Sequence, residues 1–127
     1  MNPEKLNRIV VSVFAPILIL TGLVGFLIPA QYNLTSGAAP YNLFHVAFGA
    51  IGLFLVSTNK PRGPIFFNIG FGLIDLYQAL ASVLYAWPKY LFLWTFVDDI
   101  LHVILGIGLL LIGLYGLGVL KPKAANR

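Results

Sequence analysis

Four long apolar runs, separated by short polar breaks, account for most of this 127-residue chain. The first, 9–28, carries no charged residue and is closed by Pro29. A bilayer core needs about 20 consecutive apolar residues per helical crossing, so this run reads as a spanning helix, with Pro16 as a point of kinking. A polar, turn-forming stretch over 31–40 follows, and a second apolar run occupies 42–58. Asn59-Lys60-Pro61-Arg62-Gly63-Pro64 then breaks the chain sharply. The third run covers 65–86, interrupted by Asn68, Asp75 and Gln78, and ends in a Trp87-Pro88-Lys89-Tyr90 turn suited to the aromatic belt of a membrane interface. The fourth covers 95–120; Thr95 and Asp98 open it in the spacing of a capping box, and Lys121-Pro122-Lys123 stops it. The pattern predicts an all-α integral membrane four-helix bundle, a single transmembrane domain over 1–127 in which short loops make consecutive helices antiparallel neighbours.

Composition agrees with the pattern and narrows the function classes. Hydrophobic residues make up 59% and charged residues 9% of the chain, against roughly 25% charged in soluble domains. Four crossings leave no length for a soluble catalytic domain. The absence of cysteine excludes disulfides, thiolate metal sites and cysteine nucleophiles. Net charge is +4, but the basic residues sit in short clusters at helix ends rather than among exposed aromatics, which argues against nucleic acid as a partner. No phosphate-binding glycine loop, nucleophile elbow or paired-carboxylate pattern occurs, so an enzyme is not expected.

Lys and Arg are retained on the cytoplasmic side of a membrane during insertion. Lys5, Arg8, Lys60, Arg62, Lys121, Lys123 and Arg127 all fall on one side of a four-span chain, and Lys89 alone on the other. Both termini are therefore expected in the cytoplasm. The alternative for the first run, a cleaved signal peptide, fits poorly, because the run exceeds the 7–15 apolar residues of such segments and Ile28-Pro29-Ala30 is a weak cleavage site. Asn33-Leu34-Thr35 matches the glycosylation triplet, a short pattern of no weight outside a eukaryotic secretory pathway.

The second and fourth runs repeat one another. Asn42-Leu43-Phe44-His45-Val46-Ala47-Phe48-Gly49 aligns with Asp99-Ile100-Leu101-His102-Val103-Ile104-Leu105-Gly106, position by position in polarity. This predicts two tandem helical hairpins related by a two-fold axis along the membrane normal, as in other parallel-repeat membrane proteins. His45 and His102 then sit at similar depth. Each is followed at helical spacing by a largely small-residue face, Gly49, Gly52 and Val56 after one and Gly106, Leu109 and Gly113 after the other, which lets helix backbones approach closely.

Ionisable side chains within a membrane are costly and mark candidate functional positions. At about 1.5 Å of rise per residue, His45, Asp98, Asp99 and His102 lie within two turns of the outer interface and Asp75 near the midplane. Asp98 is explained by the helix dipole and the capping box. Asp99 lies three residues before His102 and can orient its imidazole as a carboxylate does for a metal-bound histidine, or simply hydrogen-bond to it. His45 and His102 can ligate haem, a divalent metal (with Asp99) or a chlorophyll-type pigment, or act as interhelical hydrogen-bonding groups. Asp75, one turn from Gln78, can carry protons or pair with a polar group on a neighbouring helix.

The segments beginning Tyr41-Asn42-Leu43-Phe44-His45 and Phe96-Val97-Asp98-Asp99 resemble a family of small four-helix membrane proteins of bacteria, including cyanobacteria and actinobacteria, classed as a domain of unknown function. The resemblance covers most of the chain and rests on Asn-x-x-His and Asp-x-x-His motifs at matching places. In that family a second histidine often follows the first by one turn; Gly49 stands there in this chain, which weakens a metal-site reading. The resemblance implies a bacterial plasma membrane or a thylakoid and implies no reaction. The expected function is a non-enzymatic structural or accessory subunit packing with itself or a larger membrane complex. A cofactor-binding subunit using His45 and His102 is the alternative, and a small proton-linked transporter or sensor using Asp75, Asp99 and His102 is a third.

Overall fold

The computed structural model describes residues 1–120, all helix and turn with no strand among them. Helix α1 spans Pro3–Leu27, α2 Ala39–Ser57, α3 Arg62–Val83, α4 Lys89–Phe92 and α5 Phe96–Gly116. α1, α2, α3 and α5 are long and apolar enough to cross a membrane.

Local chemistry sets most of these boundaries. α1 starts six residues before the charge-free run because Asn2 caps it, its side chain accepting from the Glu4 N–H at 2.8 Å, with proline at the first helical position and Glu4 in the positive first turn. The helix continues unbroken through Pro16. α2 likewise starts early, on Pro40 at its N-terminus. α3 runs Arg62–Val83, three residues earlier at each end than the apolar run suggests. α5 opens on the expected capping box of Thr95 and Asp98 but ends at Gly116, and 117–120 form a turn. The expected stop at Lys121-Pro122-Lys123 lies outside the described residues.

Two basic side chains cap the C-terminal ends, where unpaired carbonyls carry negative partial charge. The Arg8 guanidinium donates to the carbonyl of Val56, in the last turn of α2, and to that of Thr58, just past it, at 2.9 Å. Lys89 Nζ donates to the Ser82 carbonyl and hydroxyl, both at 2.8 Å, at the end of α3. The Arg8 contacts place the start of α1 beside the end of α2. Asn7 donates to the Ile112 carbonyl at 2.9 Å, and Asn68 to Asn7 Oδ1 at 2.8 Å, which brings the start of α3 and the end of α5 to that same end.

α1 packs most extensively on α2, and α3 on α5. Lipid is as apolar as a leucine side chain, so close van der Waals packing replaces the hydrophobic effect as the force between spans. Glycines provide it. A Cβ on Gly49 would lie 2.7 Å from the Ala15 carbonyl oxygen, and one on Gly106 would lie 3.0 Å from that of Gly72. The backbones of each pair touch where no other residue fits. Phe14, Phe67 and Phe71 fill the centre with Val11, Ala15, Leu18 and Leu109, the Phe14 and Phe71 rings meeting edge-on at 5.4 Å.

Candidate functional site

At the end opposite Arg8, one polar constellation ties the chain together. Asp98, in the first turn of α5, is 1% exposed. Its carboxylate accepts the Thr95 N–H at 2.8 Å and the Ser36 N–H at 2.9 Å on one oxygen, and the Tyr41 hydroxyl at 2.8 Å on the other. The Thr95 hydroxyl accepts the Asp98 N–H at 3.3 Å, and its own proton lies between the Leu34 carbonyl at 2.8 Å and Asp98 at 3.0 Å. The Ser36 hydroxyl also reaches the Phe92 carbonyl. The capping role expected of Asp98 is therefore present, and the same carboxylate also holds the 33–38 loop and the first turn of α2. Ser36 and Tyr41 are the contributors that spacing along the chain does not reveal, since both are far from Asp98 in sequence.

Directly inside this anchor is a cavity of about 200 Å³. His45, Asp75, Asp98 and His102 all line it, with Tyr41, Phe14 and Phe71 among the aromatic walls. Candidates from three helices thus meet at one place. His45, one turn into α2, lies with Nδ1 2.7 Å from the Tyr41 carbonyl. A carbonyl only accepts, so Nδ1 carries the proton and Nε2 is left as the acceptor of the neutral ring. The Tyr41 ring covers His45 at 4.1 Å between centroids. His102 packs edge-on against Trp94, centroids 5.8 Å apart, and its Nδ1 is buried with no hydrogen-bond partner. Asp75 is 2% exposed and its Oδ2 is likewise buried without a partner.

The remaining candidates fall elsewhere. Gln78 is buried in α3 but is not part of the cavity lining. Asp99 is directed to a shallow groove beside Leu76, Ala79 and Leu80, and its Oδ1 is buried without a partner. It makes no hydrogen bond to His102, whose Nδ1 is also unpaired. Among the described residues no three His, Asp or Glu side chains gather so as to hold a metal ion, and His45, Asp99 and His102 are not brought together at one point. The physical reason is the helix: Asp99 lies on the flank of α5 that meets α3, whereas His102 turns toward the cavity.

A second buried polar group lies at the other end. Asn7 and Asn68 are both 0% exposed; Asn7 Nδ2 donates to the carbonyls of Pro3 and Ile112 at 2.9 Å each, and its Oδ1 accepts from Asn68. This knot joins α1, α3 and α5, and its geometry is that of interhelical glue.

No protein-family model matches the chain, and neither a curated protein nor a solved structure matches it significantly.

Proposed function

We propose that this protein is a non-enzymatic membrane subunit, built as two tandem hairpins with both termini cytoplasmic, that holds a small polar guest in its cavity and serves as an accessory component of a larger membrane assembly. The observation that carries this reading is the convergence of His45, Asp75, Asp98 and His102 on one cavity. Ionisable groups in a membrane are expensive, and a chain with four acidic residues in all commits two of them to this place.

The tandem architecture is supported by a constant numerical offset. His45 and His102, Gly49 and Gly106, and Tyr41 and Asp98 each differ by 57. The contacts carry the same offset: Gly49 faces Ala15 and Ile19, and Gly106 faces Gly72 and Leu76. Residues close to a two-fold axis meet their own equivalents. Phe14 touches Phe71, Tyr41 bonds to Asp98, and His45 and His102 share the cavity. On this reading the cavity lies on the local axis, where a single guest is gripped by both halves.

Orientation rests on the seven-to-one distribution of basic residues. A bacterial plasma membrane or a thylakoid is the location that the family resemblance suggests. Association with other subunits is favoured by the apolar exterior and by two outward glycines, Gly70 and Gly108, each set in an apolar groove with nothing within 4 Å of a Cβ. A haem or chlorophyll macrocycle is a poor guest, because about 200 Å³ is below the roughly 300–1,000 Å³ of pockets for drug-sized ligands. Transport has less support than binding, since Val11, Phe67 and Leu109 close the core between the cavity and the Asn7–Asn68 knot.

Gentle detergent extraction followed by native mass spectrometry and native electrophoresis tests this function. The expected result is a partner subunit, or a second copy, retained on the protein. Migration as a lone monomer in several mild detergents contradicts the accessory role.

A further inference from the structure

We infer that the cavity between the two histidines is a site for a small ammonium-type cation. This rests on the reading of the cavity as a binding site and names the class of its guest.

The cavity wall is acidic. Asp75 and Asp98 line the cavity, and no Lys or Arg does. Asp98 is served by the N–H groups of Ser36 and Thr95 and by the Tyr41 hydroxyl, so its demand for donors is met within the protein. Asp75 has no such company: it is 2% exposed, and Oδ2 has no partner. A buried carboxylate without a donor is among the costliest groups a fold can carry, and a cation removes that cost. One of the two histidines adds an atom of the same sense. His45 keeps Nε2 as an acceptor because Nδ1 donates to the Tyr41 carbonyl.

Ligand type follows from the rest of the wall. A metal ion would require three or more hard or borderline ligands converging on one point, and no such group exists among the described residues. The wall instead offers the rings of Phe14, Tyr41 and Phe71 beside the unpaired carboxylate of Asp75. Aromatic faces with a carboxylate are the chemistry that recognises ammonium groups, through the ring quadrupole and N–H donation together. A volume of about 200 Å³ admits ammonium or a short alkylammonium.

The test uses full-length protein in mild detergent at fixed ionic strength, with methylammonium chloride, sodium chloride and methanol as probes. Methylammonium should raise the unfolding temperature in a dose-dependent manner by about 4 °C or more at saturation, with sodium and methanol far less effective. Asp75→Asn should weaken methylammonium binding by about 30-fold or more. If that variant does not fold, the wild-type protein still decides the matter: the methyl proton resonance of bound methylammonium should move upfield through the ring currents of the cavity. Equal stabilisation by sodium overturns the inference, as does an unmoved methyl resonance. Stabilisation by methanol alone overturns it while leaving the cavity a binding site; no stabilisation by any probe overturns both.

Discussion

Asn7 and Asn68 at one end of the bundle, and Asp75 and His102 toward the other, are all buried polar residues in membrane-spanning helices, yet their surroundings differ. Both donor bonds of Asn7 are made, and its oxygen accepts from Asn68; only Asn68 Oδ1 is left over. Neither asparagine lines the polar cavity, and the bonds of the knot cross between α1, α3 and α5. Around Asp75 and His102 there is space for a guest, and each has a buried atom facing no protein partner. The difference separates polar groups that hold helices together from polar groups kept available for something else. Asp98 belongs with the first kind although it borders the cavity, because its donors come from three separate parts of the chain.

Substitutions can break this contrast, and their expected effects descend in order. Asp98→Ala strands the Ser36 and Thr95 N–H groups and the Tyr41 hydroxyl, three donors at roughly 1 kcal/mol or more each, so equilibrium unfolding in mixed micelles should show a loss of about 3 kcal/mol. Gly22→Ala comes next. Its Cβ would sit 2.4 Å from the Asn42 carbonyl oxygen, part of a helix backbone that cannot yield locally, and a cost of about 1–3 kcal/mol follows. Gly70→Ala, with open space at the same point, is the matched control and should leave the thermal midpoint unchanged or slightly raised.

Asn7→Leu removes the acceptor of Asn68 and two donor bonds. Interhelical hydrogen bonds in membranes are weak individually, so a loss of about 1–2 kcal/mol is expected in the same unfolding assay. Asp75→Asn has the smallest effect on stability and the largest on binding, because it removes a carboxyl group whose Oδ2 no protein group supports.

Much of the fold was legible in the sequence because a membrane imposes a simple rule: about 20 apolar residues per crossing, with polar breaks between. The Thr95–Asp98 capping box was legible for the same reason, as its chemistry is local. Boundaries were less so. α1 begins at Pro3 because Asn2, Pro3 and Glu4 are good helix-starting residues, a signal that a search for charge-free runs passes over. Asn7 was hidden by that same choice, lying outside the expected first span. α4, at four residues, is too short for any periodicity to announce it. At the site, the cost of burying charge singled out His45, Asp75, Asp98 and His102 individually, but the partners of Asp98 come from distant parts of the chain. Spacing misled for Asp99, where proximity to His102 in sequence did not bring a hydrogen bond. The proposed repeat was readable only in α2 and α5, because in α1 and α3 equivalent positions differ in polarity, Leu18 matching Asp75 and Val11 matching Asn68.

The most direct test applies one chemical change to two carboxylates. Asp98→Asn and Asp75→Asn each replace a carboxyl group by an amide in the same cavity wall, and their unfolding free energies can be measured side by side in the same micelles. A loss of about 2 kcal/mol is predicted for Asp98→Asn, which gives up the charge on three hydrogen bonds and forces the Tyr41 hydroxyl to turn from donor to acceptor, and no loss or a small gain for Asp75→Asn. Equal losses, or a larger loss at Asp75, would show that Asp75 is structural glue and would contradict this prediction.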